Sequence, residues 1–145
     1  MSGTYLSRKR SRTAEAIGRA KDHIEENYSE RINLEDLAVI AELSVFRFAT
    51  VFRREVGLPP HRYLCQVRAQ HAQRLLREGV SPAIAASEAG FFDQSHLSRH
   101  FKNIFGITPG QYQSAVRKSS ATDFATTVDA RMVMKGSAVA AQPSS

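Results

Sequence analysis

A single cysteine in 145 residues excludes an internal disulfide and a cysteine-rich zinc module. No apolar run approaches the roughly 18 residues that a membrane-spanning helix needs, so no membrane partner is expected. Behind Met1 the chain reads Ser-Gly-Thr-Tyr-Leu-Ser-Arg-Lys-Arg, without the apolar stretch of a secretory leader, and the expected location is cytoplasmic. There is no Gly-rich phosphate loop and no nucleophile–base constellation, so no catalytic residue and no cofactor are assigned. Period-two alternation of apolar and polar residues is also missing, which removes strands and leaves an all-α fold.

Against these absences stands an ordinary globular composition, 42% hydrophobic and 23% charged, enough for one folded unit with trimmings. The net charge is +6, and its distribution says more than its sum. Residues 1–13 carry four basic side chains, Arg8, Lys9, Arg10 and Arg12, and no acidic one. Residues 14–43 carry three basic and eight acidic groups, and residues 44–80 carry seven arginines against Glu55 and Glu78. A basic block behind an acidic one suggests a face made for a polyanion, of which double-stranded DNA is one candidate.

Residues 1–13 read as a basic flexible arm and residues 118–145, rich in Ala, Ser, Thr and Val, as a disordered tail. Between them the pattern is helical. Ile17, Ala20, Ile24 and Tyr28 keep helix spacing, as do Leu34, Leu37, Ala38 and Ala41 behind an Asn33 cap. Pro60 to about Arg77 reads as one helix with Tyr63, Leu64, Val67, His71 and Leu75 inward. It has Pro60 near its first turn and Gly79 past its end.

An internal repeat organises the whole. A shift of 49 residues carries Phe52 onto Phe101, Gly57 onto Gly106, Leu58 onto Ile107, Pro60 onto Pro109 and Tyr63 onto Tyr112. Upstream it pairs Ala41 with Gly90, Ser44 with Asp93, Phe48 with Leu97 and Arg53 with Lys102. In the first copy a helix over 34–41 is followed by Ser44, which caps a helix to about Val56. In the second, a helix from Pro82 to Ala89 stops at Gly90, and Asp93 caps a helix to Phe105. Two short helices joined by a tight break describe a helix-turn-helix.

The expected organisation is a first subdomain over 14–58, a linker helix over 59–78 and a second subdomain over 79–117. A linker of about 18 residues would span roughly 27 Å, enough to set two recognition helices about one DNA turn apart. The last helix opens on Thr108-Pro-Gly-Gln111, a capping box with Pro at its first position.

In each copy the second helix turns one face to the core (Phe48, Val51 and Phe52; Leu97, Phe101 and Ile104) and can offer the other to a major groove. The second copy offers Gln94, Ser95, His96, Ser98 and Arg99 for base readout, Arg99 suiting a guanine edge and Gln94 an adenine edge. The first offers Phe46, Arg47, Ala49 and Thr50, better suited to thymine methyl contact. Phosphate contacts are assigned to Ser44, Arg53 and Lys102, and to Arg8, Lys9, Arg10 and Arg12 of the arm.

With these residues in place, the sequence resembles the DNA-binding domain of the AraC/XylS family of bacterial transcription regulators. The likeness is strongest from Ala89 through Gly-Phe-Phe-Asp-Gln-Ser-His-Leu-Ser-Arg-His-Phe-Lys to Tyr112, and covers residues 14 to about 117. It extends to Leu34, Leu37, Ala38, Ser44, Phe52 and Gly57 in the first copy, and to Arg68, Ala72, Leu75 and Leu76 in the linker. The resemblance implies two homeodomain-like three-helix units bridged by a long helix, binding adjacent major-groove segments as a monomer. Thr50 stands where many members have Arg, and Ala85 where they have a larger aliphatic residue, so a thinner second core is expected. Most members also carry a ligand-sensing domain that thirteen leading residues could not contain. The expectation is a stand-alone regulator, or a shortened product that competes with full-length relatives; an adaptor to RNA polymerase is a further alternative.

Three signals point elsewhere and are set aside. His96 and His100 have the i,i+4 spacing of metal ligands, but only Asp93 is near as a third group, so no metal is assigned. Cys65 in the linker reads as a half-buried thiol. Asn27-Tyr-Ser is a glycosylation sequon in letters only.

Overall fold

The computed structural model describes residues 2–119, with side chains from residue 10 onward. All regular elements among the described residues are α-helices, and the chain divides into two compact units, one ending at Leu64 and the other beginning at Cys65.

The first unit contains α1 (Ser2–Glu26), α2 (Leu34–Ala41), α3 (Val45–Val56) and the opening turn of α4 (Pro60–Arg77). From Ser2 onward, the expected arm over 1–13 is instead the first half of α1. No proline interrupts Ser2 to Glu26, and the basic run continues the helix that Ala16, Ile17, Ala20 and Ile24 anchor by burial. Arg10 and Arg12 are exposed on it, while the side chains of Arg8 and Lys9 lie outside the described residues. α1 packs on α2 and α3, burying Leu37, Ala38, Ala41, Phe48, Val51 and Phe52. Each large apolar side chain so removed from water contributes roughly 1.5–3 kcal/mol.

The opening turn of α4 closes this core. The Tyr63 ring meets Phe52 edge-on at 5.7 Å between centroids, and its hydroxyl donates to the Glu25 carboxylate. Burial, then this bond and the charges of Glu25 and Asp22, hold the phenol well above its ordinary pKa.

The second unit contains the rest of α4, with α5 (Pro82–Ala89), α6 (Gln94–Phe105) and α7 (Pro109–Lys118). Its core joins Ala69, Ala72 and Leu76 of α4 to Ala85, Ala86, Ala89, Phe91, Leu97, Phe101, Phe105 and Tyr112. The linker expected over 59–78 therefore lends side chains to both units. Its inward face also differs from the expected register. Leu76 is buried and Leu75 only partly, His71 is half-buried, and Cys65 is fully buried rather than half. On α6, likewise, Phe105 is in the core and Ile104 at its edge. In both cases a helix face about 100° wide admits two neighbouring positions, and the partner helix selects one.

Ala85 is completely buried in a row of small residues, where α5 can approach its neighbours closely. α4 ends in a Schellman motif: Gly79 takes φ 95°, and the Val80 N–H reaches the Leu75 carbonyl at 3.0 Å. Gln113 of α7 donates to the Leu76 and Val80 carbonyls at 3.0 and 2.7 Å, satisfying acceptors the helix end leaves open. Of the expected tail over 118–145, only Lys118 and Ser119 are described, and they close α7; the remainder lies outside the described residues.

Candidate nucleic-acid interface

The two corners are built from capping chemistry. Asn33 and Ser44 cap α2 and α3, accepting from Asp36 N–H and Arg47 N–H at 2.8 and 3.2 Å. Ser81 and Asp93 do the same for α5 and α6 through Ile84 N–H and His96 N–H at 3.4 and 2.8 Å. α2 stops at Glu42, a non-glycine residue in the left-handed region with φ 57°, and the Leu43 N–H bonds the Ala38 carbonyl at 3.0 Å. α5 stops at Gly90 with φ 94°, and there the Phe91 N–H bonds the Ala86 carbonyl at 2.9 Å.

These bonds correct the upstream register of the repeat. Glu42 matches Gly90 and Leu43 matches Phe91, so Ala41 pairs with Ala89 rather than with Gly90. The buried triplets Leu37, Ala38, Ala41 and Ala85, Ala86, Ala89 agree with that spacing. The caps Ser44 and Asp93 keep the original spacing, so the second corner holds one extra residue, Phe92.

α3 and α6 are strongly two-faced. Phe48, Val51 and Phe52 of α3, and Leu97, Phe101 and Phe105 of α6, are buried. On the outward side of α3, Phe46, Arg47, Thr50 and Arg53 are exposed and Ala49 is half-exposed. The Thr50 hydroxyl donates to the Phe46 carbonyl at 3.0 Å, which leaves its methyl group and an oxygen lone pair outward. Ser44 is exposed at the entrance of the helix. On α6, Gln94, Ser95, Arg99 and Lys102 are exposed and Ser98 is partly covered. Phe92, Asp93, Ser95, His96 and Arg99 line a shallow hollow of about 410 Å³.

His96 is placed differently from its expected readout role. Its Nδ1 accepts the Phe92 N–H at 3.3 Å, and its ring meets Phe91 edge-on at 5.4 Å between centroids. An Nδ1 that accepts leaves the proton of the neutral ring on Nε2. The 3.1 Å contact to Nε2 of His100 is then a bond donated by His96. Buried Cys65 brings its Sγ to 3.9 Å from the same His100 nitrogen. Cys65 thus stands beside the histidine pair, where the sequence suggested Asp93 as the third group. No group of three such residues among those described is disposed to hold a metal ion, however.

Phe92 is the residue that sequence reasoning passed over. No role is assigned to it from sequence, yet it is 90% exposed where its neighbour Phe91 is buried. Only the one-residue mismatch between the two repeat registers signals it. No helix among the described residues is long and apolar enough to cross a membrane.

Comparison with known proteins agrees with this architecture. Residues 37–115 match a family described as a helix-turn-helix domain. The chain is 29% identical over 97 residues to the probable transcriptional regulator LumQ of Photobacterium leiognathi, covering 66% of this chain and 39% of LumQ. A probable AraC family transcriptional regulator from Rhodopseudomonas palustris superimposes with a TM-score of 0.65 at 28% identity, covering 70% of this chain and 97% of that one. The DNA-binding domain of the global transcriptional factor AdpA, solved in complex with a target DNA, gives a TM-score of 0.62 at 32% identity, covering 73% and 93%. The chain spans less than half the length of the curated relatives it matches. These relatives are named as transcriptional regulators, not enzymes. With two capped helix-turn-helix corners on two buried cores, the chain belongs to the AraC family of helix-turn-helix transcriptional regulators, as a DNA-binding domain of that type.

Proposed function

We propose that this chain reads a specific double-stranded DNA site by inserting α3 and α6 into adjacent major-groove segments, one polypeptide to one asymmetric site. The carrying observation is the pair of two-faced helices. Each gives its apolar side to its own core; α3 keeps Arg and Thr side chains outward, and α6 keeps Gln, Ser and Arg. AdpA, similar in fold and bound to a target DNA in its solved structure, supports the same use here.

In this reading Arg99 and Gln94 make the hydrogen-bonded base contacts of the second unit, with Ser95 and Ser98 beside them. Arg47, Phe46, Ala49 and Thr50 serve the first unit, mostly through apolar and van der Waals contact. Arg53, Lys102 and Ser44 meet phosphates, as Arg10 and Arg12 do from α1. His96 serves the corner and not the bases. The protein acts inside the cell on chromosomal DNA, whatever else is joined to these helices in a longer chain.

The experiment is binding-site selection followed by footprinting at two salt concentrations. The expected result is two adjacent protected segments of unlike sequence, with affinity falling steeply as salt rises. A strict palindrome occupied only by a dimer would refute the one-chain, one-site arrangement.

A further inference from the structure

We propose that Phe92 is a specificity-determining residue of the second unit, contacting a thymine methyl group beside the base read by Arg99. The inference rests on the DNA reading above. Phe92 is the extra residue of the second corner, with no counterpart in the first. A residue that only closed the corner would turn inward, as Phe91 does at 4% exposure, whereas Phe92 is 90% exposed.

Its backbone is nonetheless held firmly. Its own N–H is bound by Nδ1 of His96 at 3.3 Å, buried Phe91 precedes it, and the Asp93 cap, bonded to His96 N–H at 2.8 Å, follows it. An aromatic ring kept in water on a fixed backbone is presented in advance, and few rotors remain to be frozen on contact.

The surroundings select the partner. The ring shares its hollow with Ser95, His96, the capping carboxylate of Asp93 and the Arg99 side chain, and is the one hydrophobic side chain among these lining residues. A hydrophobic protein surface would strand that polar rim, but a major groove presents donors, acceptors and one apolar feature, the thymine 5-methyl group. Phe46 at the entrance of α3 is 83% exposed. The repeat pairs Phe46 with Ser95 and leaves Phe92 unmatched, so the two aromatic contacts would fall at non-equivalent places in the two half-sites.

The test begins with site selection on wild type, Phe92→Ala and Arg99→Ala. Wild type should select thymine at a position neighbouring the one that Arg99→Ala relaxes, and Phe92→Ala should lose that thymine preference alone. Replacing the selected thymine by deoxyuridine removes only the methyl group. It should weaken wild-type binding about fourfold, the value of one buried methyl, and leave Phe92→Ala unmoved. Melting temperature should stay that of wild type, since the ring is exposed. A Phe92→Ala protein that keeps the thymine preference, or weakens all sequences alike, overturns the role of Phe92 and leaves the DNA reading standing. A wild-type protein that selects no site overturns both.

Discussion

In the first unit the corner between α2 and α3 closes on Glu42 and exposes no aromatic of its own. In the second, the corner between α5 and α6 closes on Gly90, carries one more residue, and sets Phe92 in solvent. The first core joins four alanines of α1 and α2 to Ile17, Ile24, Leu37, Phe48, Val51 and Phe52, so that most of its bulk is branched aliphatic and aromatic. The second is lined by five alanines, with its rings drawn from the second corner, α6 and α7. The difference teaches that one repeat can keep its caps and its buried face while its contact surface diverges. The corner bonds and the core constrain inward positions only, so outward ones are free to change.

The largest effects should fall on the cores and should test whether the units stand separately. Phe52→Ala and Phe101→Ala each delete a completely buried ring, at a cost of about 3–5 kcal/mol. Amide exchange should lose protection mainly in the unit carrying the change. Equal loss throughout would mean that α4 couples the two into one cooperative body.

Next comes the division of labour on DNA. Arg99→Ala should lower specific affinity by about 1–3 kcal/mol and relax one base position. Thr50→Ala, whose hydroxyl is tied to the Phe46 carbonyl, should have a much smaller effect in the same selection. Comparable losses would remove the asymmetry between the recognition helices.

The corners give a subtler contrast, read by thermal or urea unfolding. Gly90→Ala forces a side chain into the left-handed region and should destabilise by about 1 kcal/mol. Glu42→Gly relieves the same strain and should stabilise by roughly 0.5–1 kcal/mol. The Arg19–Glu42 pair at 3.5 Å is exposed, and its loss should subtract little. The smallest change should be Lys102→Ala, which leaves site preference intact and reduces the salt slope by about one unit if the ammonium meets a phosphate.

Much of this architecture was legible because it is written in local chemistry. Asn33, Ser44, Asp93 and Thr108 each have a short side chain that bonds an N–H three residues on, and those helix starts follow from them. What stayed hidden was any choice between neighbours on one face. Leu75 against Leu76 and Ile104 against Phe105 are equivalent to a periodicity argument, and Phe91 against Phe92 lie in a corner where no period applies. The helix start at Ser2 was missed for the opposite reason, since polar, basic residues carry no apolar period to announce a helix. The site residues on α3 and α6 were legible as faces, whereas the bond of the His96 ring to the Phe92 N–H was not, since it depends on how the corner folds.

From sequence alone come α2 to α7, most of their caps, the two-copy plan and the outward faces of α3 and α6, because each depends on side chains at most a few positions apart. Tertiary structure alone decided that α4 lends side chains to both cores, that His96 closes the second corner against His100 and Cys65, and that Phe92 stands in water. Those outcomes depend on which atoms from distant segments compete for the same buried space. That competition is settled only when the segments have packed, and no local period or capping signal carries it.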